Sequence, residues 1–152
     1  MRTLAYKVRV LTAATLLVSL CAIAQAATDD CVRTLSACPN KPNCIATNDG
    51  LPERRYPPLE VNGEPNATWT RIVKSLLTEE RTAKVEEKPG YLYATVTSAV
   101  FGFVDDIELT YCNSGKELWI RSASRKGYWD IGANRARVES LAEKWRSQSL
   151  IK

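Results

Sequence analysis

The sequence predicts an α+β fold, in which an antiparallel sheet of three to four strands carries an N-terminal and a C-terminal helix on one face. Two segments place apolar residues at helical spacing, and the residues between them have the composition of strands joined by short glycine-containing turns. A proline-rich arm precedes both. We therefore expect a signal peptide at residues 1–26, an extended arm at 27–65 and an α+β domain at 66–152, with the arm packed on the domain.

The first 26 residues have the pattern of a secretory signal peptide. Three basic residues come first, an apolar run spans residues 10–23, and Ala24-Gln25-Ala26 gives the small-x-small pattern of a cleavage site. A membrane anchor is the alternative, but the apolar run is shorter than the roughly 20 residues that a span requires. A lipoprotein attached through Cys21 is disfavoured, because Leu20 stands where a small residue is usual. We expect cleavage after Ala26 and a periplasmic or secreted protein, which meets the membrane only transiently through this peptide.

The chain is close to neutral once this peptide is removed. Three of the 21 Lys and Arg lie in the first 26 residues and none of the 17 Asp and Glu do, which leaves 18 basic against 17 acidic residues. Binding to nucleic acid depends on an excess of basic residues, so we expect no nucleic-acid partner. The partners that we expect are an anionic small molecule or another envelope protein.

Four cysteines remain after the signal peptide, and an even number in an exported protein indicates disulfides. Cys38 and Cys44 enclose a turn-rich Pro-Asn-Lys-Pro-Asn segment, and we predict that they pair. A second bridge between Cys31 and Cys112 would fix the arm to the sheet. The sequence has neither CxxC spacing nor histidine, so we predict no metal site and no cofactor.

The absence of histidine limits the chemistry that this chain could perform. It excludes Ser-His-Asp and Cys-His hydrolases, imidazole metal ligands and acid–base catalysis by histidine. An enzyme built from this chain would depend on carboxylates, Tyr, Lys, Arg or an unusual nucleophile.

The arm contains six prolines and no sustained periodicity, which is typical of irregular structure. A flexible linker is the alternative, but the apolar residues of the arm favour packing on the domain. The first helix then begins, and Asn66 is a good N-cap residue for it. Its apolar stripe consists of Trp69, Ile72, Val73, Leu76 and Leu77.

Four strand-like segments follow this helix. Residues 82–87 are short and partly charged, as in an edge strand, and a Pro-Gly turn leads to residues 91–101, which are rich in β-branched and aromatic residues. Residues 103–111 and 117–123 predict a hairpin, because a short loop with glycine joins them. The final helix begins near Asn134, and its apolar stripe consists of Val138, Leu141, Ala142 and Trp145.

Asp105 is a carboxylate on an otherwise apolar face of its strand, since alternate side chains share a face. An unpaired buried carboxylate would be costly, so Asp105 requires a partner. A structural Asp–Arg pair is favoured over catalysis. Asp106 and Glu108 lie on the other face, where a solvated surface is favoured over a metal site or acid–base pair. The candidate partners of Asp105 are Arg121, Arg125, Arg135 and Arg137.

The loop at residues 124–132 leads into the last helix, and helix N-termini attract anions. Nearby arginines could make bidentate contacts to a carboxylate, phosphate or sulfate. In the alternative interpretation, Asp130 or Asn134 caps the helix and the arginines bind carboxylates of the protein itself. Tyr128 and Trp129 could form an exposed aromatic pair for a partner or cover the core.

Three separated motifs resemble the uncharacterised bacterial and plastid family called domain of unknown function 1499. They are the segment at residues 38–44, the Phe-Val-Asp-Asp sequence at 103–106, and the segment from Arg121 to Arg135. The family often has Ser where this chain has Lys41, and its pattern does not include Cys31 or Cys112. The resemblance implies no activity, substrate or cofactor. It implies a shared set of residues, namely Asp105, Arg121, Arg125, Asn134 and Arg135.

Our leading hypothesis is a small binding module of the cell envelope that holds an anionic ligand or a carboxylate of a partner. The candidate ligand-binding residues are Asp105, Arg121, Ser124, Arg125, Asp130, Asn134 and Arg135. One alternative is a histidine-free hydrolase or isomerase, in which Asp105 or Asp106 acts as acid–base and arginines stabilise charge. Another is a purely structural or assembly domain. A pocket at the arginines would favour binding or catalysis, whereas arginines fully engaged by carboxylates would favour structure.

Overall fold

The computed structural model describes residues 30–152, so the predicted signal peptide and its cleavage site lie outside the described residues. Within this part of the chain, no helix has the length and apolar character needed to cross a membrane. The elements are β1 (Cys44–Ala46), β2 (Leu59–Glu60), α1 (Pro65–Leu77), β3 (Thr82–Lys88), β4 (Tyr91–Thr97), β5 (Val104–Cys112), β6 (Glu117–Ser124) and α2 (Ala133–Ser147).

The strands form one antiparallel sheet in the order β1-β6-β5-β4-β3, with β2 paired to β6 beside β1. The predicted α+β class is confirmed, but the predicted count of three to four strands is wrong, since the sheet has six. The two additional strands come from the arm. They are three and two residues long, which is too short for an alternating pattern to be recognised in the sequence.

Both helices contribute to a single core with one face of the sheet. Trp145 of α2 and Ile72 and Leu76 of α1 are almost completely buried there. Trp69 meets Tyr111 of β5 edge to face, with 4.8 Å between ring centroids. The sheet contributes mainly aliphatic side chains to this core, namely Leu92, Ala94, Ile107, Leu109, Leu118 and Ile120.

Helix α1 begins two residues earlier than the sequence predicts. Glu64, not Asn66, is the N-cap, and its carboxylate accepts hydrogen bonds from the backbone N–H of Asn66 at 3.2 Å and of Ala67 at 2.8 Å. Pro65 suits the first helical position, because an N–H there would have no acceptor within the helix. Asn66 therefore lies inside the first turn.

The arm covers the other face of the sheet near β5 and β6. Cys31 forms a disulfide with Cys112, and the backbone N–H of Val32 donates to the carbonyl of Tyr111 at 2.9 Å. Leu35 packs with Cys112 and Trp119 in a second, smaller apolar cluster. Both predicted disulfides are confirmed, since Cys38 also pairs with Cys44.

Candidate functional site

The predicted site residues lie on opposite faces of the sheet. In the β5–β6 register, Asp105 is opposite Ser124 and Glu108 is opposite Arg121. Asp105 points toward the helices, whereas Asp106 and Glu108 point toward the arm, as alternation along the strand requires. The structure therefore divides all but one of the predicted residues, Arg135, into two groups. The helix-face cluster contains Asp105, Ser124, Asp130 and Asn134 together with Ser122 and Arg137. The arm-face cluster contains Arg121 and Arg125 together with Asp106 and Glu108.

The helix-face cluster joins α2 to β5 and β6. Arg137 donates from Nη2 to Asp105 Oδ2 at 2.7 Å, and from Nη1 to Asn134 Oδ1 at 2.8 Å and to Ser122 Oγ at 2.9 Å. Asn134 is only 1% exposed, and its Nδ2 donates to Ser124 Oγ at 2.9 Å. The polar atoms of this cluster thus satisfy one another across the interface between sheet and helix.

Asp130 occupies the N-terminus of α2. Its Oδ1 accepts a hydrogen bond from the N–H of Gly132 at 3.0 Å, and its Oδ2 accepts one from the N–H of Asn134 at 2.8 Å. The helix dipole favours a negative charge at this position. A carboxylate of the protein itself thus takes the place in which the sequence suggested a bound anion.

The arm-face cluster is centred on Glu108. Its Oε1 accepts from Arg121 Nη1 at 2.8 Å, and Oε2 accepts from Ser36 N at 3.2 Å, Ser36 Oγ at 3.1 Å and Tyr91 Oη at 3.3 Å. Both side chains of the ion pair are buried, with 8% and 5% exposed for Arg121 and Glu108. The expectation of a solvated surface at Glu108 is therefore wrong, because the arm covers this face.

Arg125 lies at the margin of the arm-face cluster, with 46% of its side chain exposed. Its Nε donates to Asp106 Oδ1 at 2.8 Å, and its Nη2 donates to Tyr93 Oη at 2.8 Å. Arg135 lies elsewhere, beside a cleft of about 200 Å³ that Trp129 also lines, and donates to the carbonyl of Glu53 at 2.8 Å. Among residues 30–152, no three acidic or cysteine side chains are placed to hold a metal ion.

Comparison with known proteins agrees with the resemblance seen in the sequence. Residues 34–145 match the family described as Protein of unknown function (DUF1499). The chain belongs to this family. The matched range includes both clusters of this DUF1499 chain and all the elements between β1 and the last turn of α2. No curated protein and no solved structure matches it.

The sequence did not indicate how many large apolar side chains this DUF1499 chain leaves exposed at one end of the sheet. The sequence predicts an aromatic pair at Tyr128 and Trp129, but it also predicts a strand over residues 91–101. That prediction is wrong for residues 98–101, because β4 ends at Thr97. The uncharged run at residues 98–103, interrupted by a glycine, is the pattern that could have indicated a loop. The exposed apolar residues in the two loops are Val100, Phe101, Phe103, Tyr128, Trp129 and Ile131.

Replacing Asp105 with alanine should destabilise this DUF1499 chain by about 3 kcal/mol, since it removes the anion paired with Arg137. The side chain of Arg137 is 19% exposed, so water compensates part of the loss. Urea denaturation of parent and variant measures the difference. Glu80→Ala, which breaks the exposed pair with Arg81, is the control and should cost less than about 1 kcal/mol. An equally small effect of Asp105→Ala would contradict a structural role for the helix-face cluster.

The arm-face cluster should make stability decline in alkali. Burial and the neighbouring Glu108 carboxylate raise the pKa of Tyr91 from 10.0 to about 12, against a smaller lowering by Arg33. The folded state thus favours the neutral phenol. The contribution of Tyr91 to the free energy of unfolding is therefore fully present below pH 10 and is lost as the pH rises toward about 12. Denaturation midpoints across this range should fall less steeply in Tyr91→Phe than in the parent. Tyr128→Phe, which removes an exposed hydroxyl, is the control, and identical slopes in parent and Tyr91→Phe would refute the prediction.

Proposed function

We propose that this chain is a non-catalytic binding module of the cell envelope, and that it binds through the loops at residues 98–103 and 125–132. We call these two loops the loop end. The observation that carries the proposal is the concentration of large exposed apolar side chains there, three in each loop. A concentration of large exposed apolar side chains is typical of an interaction surface in soluble proteins.

The sheet brings the two loops together. The first loop connects β4 to β5, where Thr97 is opposite Val104, and the second follows β6, where Ser124 is opposite Asp105. The backbone N–H of Arg125 reaches the carbonyl of Val104 at 3.4 Å. Since β5 and β6 are adjacent strands, about 5 Å apart, both loops leave the same end of the sheet side by side.

The two polar clusters support a scaffold better than a catalytic site. Asp105 and Asp106, the candidate acid–base residues, are each paired with an arginine at 2.7 Å and 2.8 Å. A catalytic carboxylate has to reach a substrate, and both lie within networks that connect elements of the fold. The clusters hold the ends of β5 and β6 and the start of α2, and these are the elements that carry the loops.

An anionic partner remains part of the proposal, at a position different from the one predicted. Arg121 and Arg137 are engaged in ion pairs, and Asp130 occupies the helix N-terminus. Arg125 of the loop end is also paired, with Asp106. The exposed basic side chains beside the apolar residues are Lys126 of the loop end and Lys41 next to it. A periplasmic or secreted location is also part of the proposal, and the two disulfides support it because such bonds persist in oxidising compartments.

Site-specific photo-crosslinking in intact cells tests the proposal. A photoreactive phenylalanine analogue in place of Phe101 should give a covalent adduct of discrete mass, with either a lipid or a protein. The same analogue in place of Val85, an exposed residue of the edge strand β3, is the control and should give none. Absence of adducts at both positions, or equal adducts at both, would overturn the loop end as the binding surface.

A further inference from the structure

We infer that the loop end binds a lipid bilayer surface that carries anionic headgroups. This inference rests on the proposed function, because it names the partner of the same surface. It follows from three properties of the two loops: the degree to which their side chains project, the types of residue that they contain, and the charges beside them.

The apolar side chains project from the protein instead of forming a flat face. Val100 is 81% exposed and Ile131 is 84% exposed, so each has few neighbours within the chain. They lie in loops that extend beyond the last paired residues of β4, β5 and β6. Side chains presented in this way could enter the boundary between headgroups and acyl chains without any rearrangement of the sheet.

The residue types match those found at membrane interfaces. Trp129 and Tyr128, each 69% exposed, combine an apolar ring with a polar group, and such residues are enriched at the level of the headgroups. Phe101 and Phe103 stack with 5.6 Å between ring centroids and give the other loop an exposed aromatic surface. The loop at residues 98–103 contains no charged residue that would resist insertion.

The charges beside the loops favour an anionic surface. Lys126 is exposed within the second loop, and the exposed Lys41 lies next to it, with its Nζ 3.5 Å from the carbonyl of Gly127. Two of the nearby carboxylates are engaged, since Asp106 binds Arg125 and Asp130 accepts a hydrogen bond from the N–H of Asn134, whereas the exposed Glu53 lines the same cleft as Trp129. Each exposed basic side chain near a bilayer that contains anionic lipids strengthens binding.

Tryptophan fluorescence with lipid vesicles tests the inference, because the chain has four tryptophans and the other three are buried. Vesicles that contain phosphatidylglycerol should shift the emission of Trp129 to shorter wavelength, and the shift should be absent in Trp129→Phe. In vesicle sedimentation, Phe101→Ser combined with Phe103→Ser should weaken binding by about tenfold or more. Lys126→Gln should weaken it by about fivefold. All variants share the same N-terminal segment, so its contribution to binding cancels in the comparison.

Two matched variants separate the loop end from the rest of the surface. Val85→Ser removes an exposed apolar residue from β3, and Lys116→Gln removes an exposed charge at the β5–β6 turn, at the opposite end of the sheet. Neither should change vesicle binding.

Unchanged Trp129 emission with vesicles, or equal binding by the Phe101→Ser, Phe103→Ser variant and the parent, would overturn the inference. If a protein adduct then still formed from position 101 and not from 85, the proposed function would stand and only the lipid partner would be wrong. If position 101 formed no adduct, the proposed function would fail as well.

Discussion

Replacing Glu108 with alanine is expected to lower the free energy of unfolding by about 3–5 kcal/mol, because it leaves a buried guanidinium without its counter-ion. Arg121 and Glu108 are both almost completely covered by the arm and the neighbouring strands. The substitution also removes the acceptor of Ser36 and Tyr91, which hold the arm and β4 to this face. Urea denaturation, monitored through the fluorescence of the buried tryptophans, measures the decrease in the free energy of unfolding.

A double variant distinguishes the loss of the ion pair itself from the cost of leaving the buried charge of Arg121 uncompensated. In Glu108→Leu combined with Arg121→Met, no charge remains buried, so much of the stability should return. The pair is also imperfectly satisfied within the described residues, since the buried Nε of Arg121 has no acceptor there. Glu87→Ala, which breaks the exposed pair with Lys84, is the control and should cost less than about 1 kcal/mol. A double variant as unstable as Glu108→Ala would contradict this account.

The regular part of the fold was predictable because its sequence patterns are long. The apolar stripes of the two helices recur every three to four residues, and side chains along β5 alternate every two. The alternation along β5 assigns Asp105 and Glu108 to opposite faces of the sheet. The arm was not predictable in the same way. Its strands β1 and β2 form because β6 offers an edge to pair with. A segment of two or three residues contains no sequence pattern that predicts pairing with a distant strand.

The candidate site was predicted in composition but not in arrangement. Proximity in sequence suggested that Arg121, Arg125 and Arg135 would act together, yet the register of β6 and the direction of α2 place them at three different positions. Glu108 was predicted to be exposed because burial by the arm depends on contacts between residues more than 70 positions apart. Local alternation therefore indicates which face a side chain occupies, whereas tertiary contacts decide whether that face meets water.

Removal of the Cys31–Cys112 disulfide by a double substitution to serine is expected to destabilise the chain by about 4.5 kcal/mol. The estimate follows from the sequence separation of 81 residues, since a longer closed loop restricts the unfolded chain more strongly. For the Cys38–Cys44 bridge, whose sequence separation is 6, the same relation gives a loss of stability of about 2 kcal/mol. Urea denaturation of the two double variants should therefore rank the bridges in this order. A larger loss from the shorter loop would contradict the argument.

The long bridge and Glu108 should also be energetically coupled, because both fix the arm over the same face. Cys31 binds the arm at the end of β5, and Ser36 binds it to Glu108 near the middle of that strand. Without the bridge, the arm separates more easily, water reaches Glu108 and Arg121, and the burial that makes Glu108→Ala costly is reduced. A double-mutant cycle should thus give a smaller loss for Glu108→Ala in the background that lacks the bridge, by about 1 kcal/mol or more. Strict additivity would mean that the arm remains in place through other contacts, and that the disulfide stabilises only by restricting the unfolded chain.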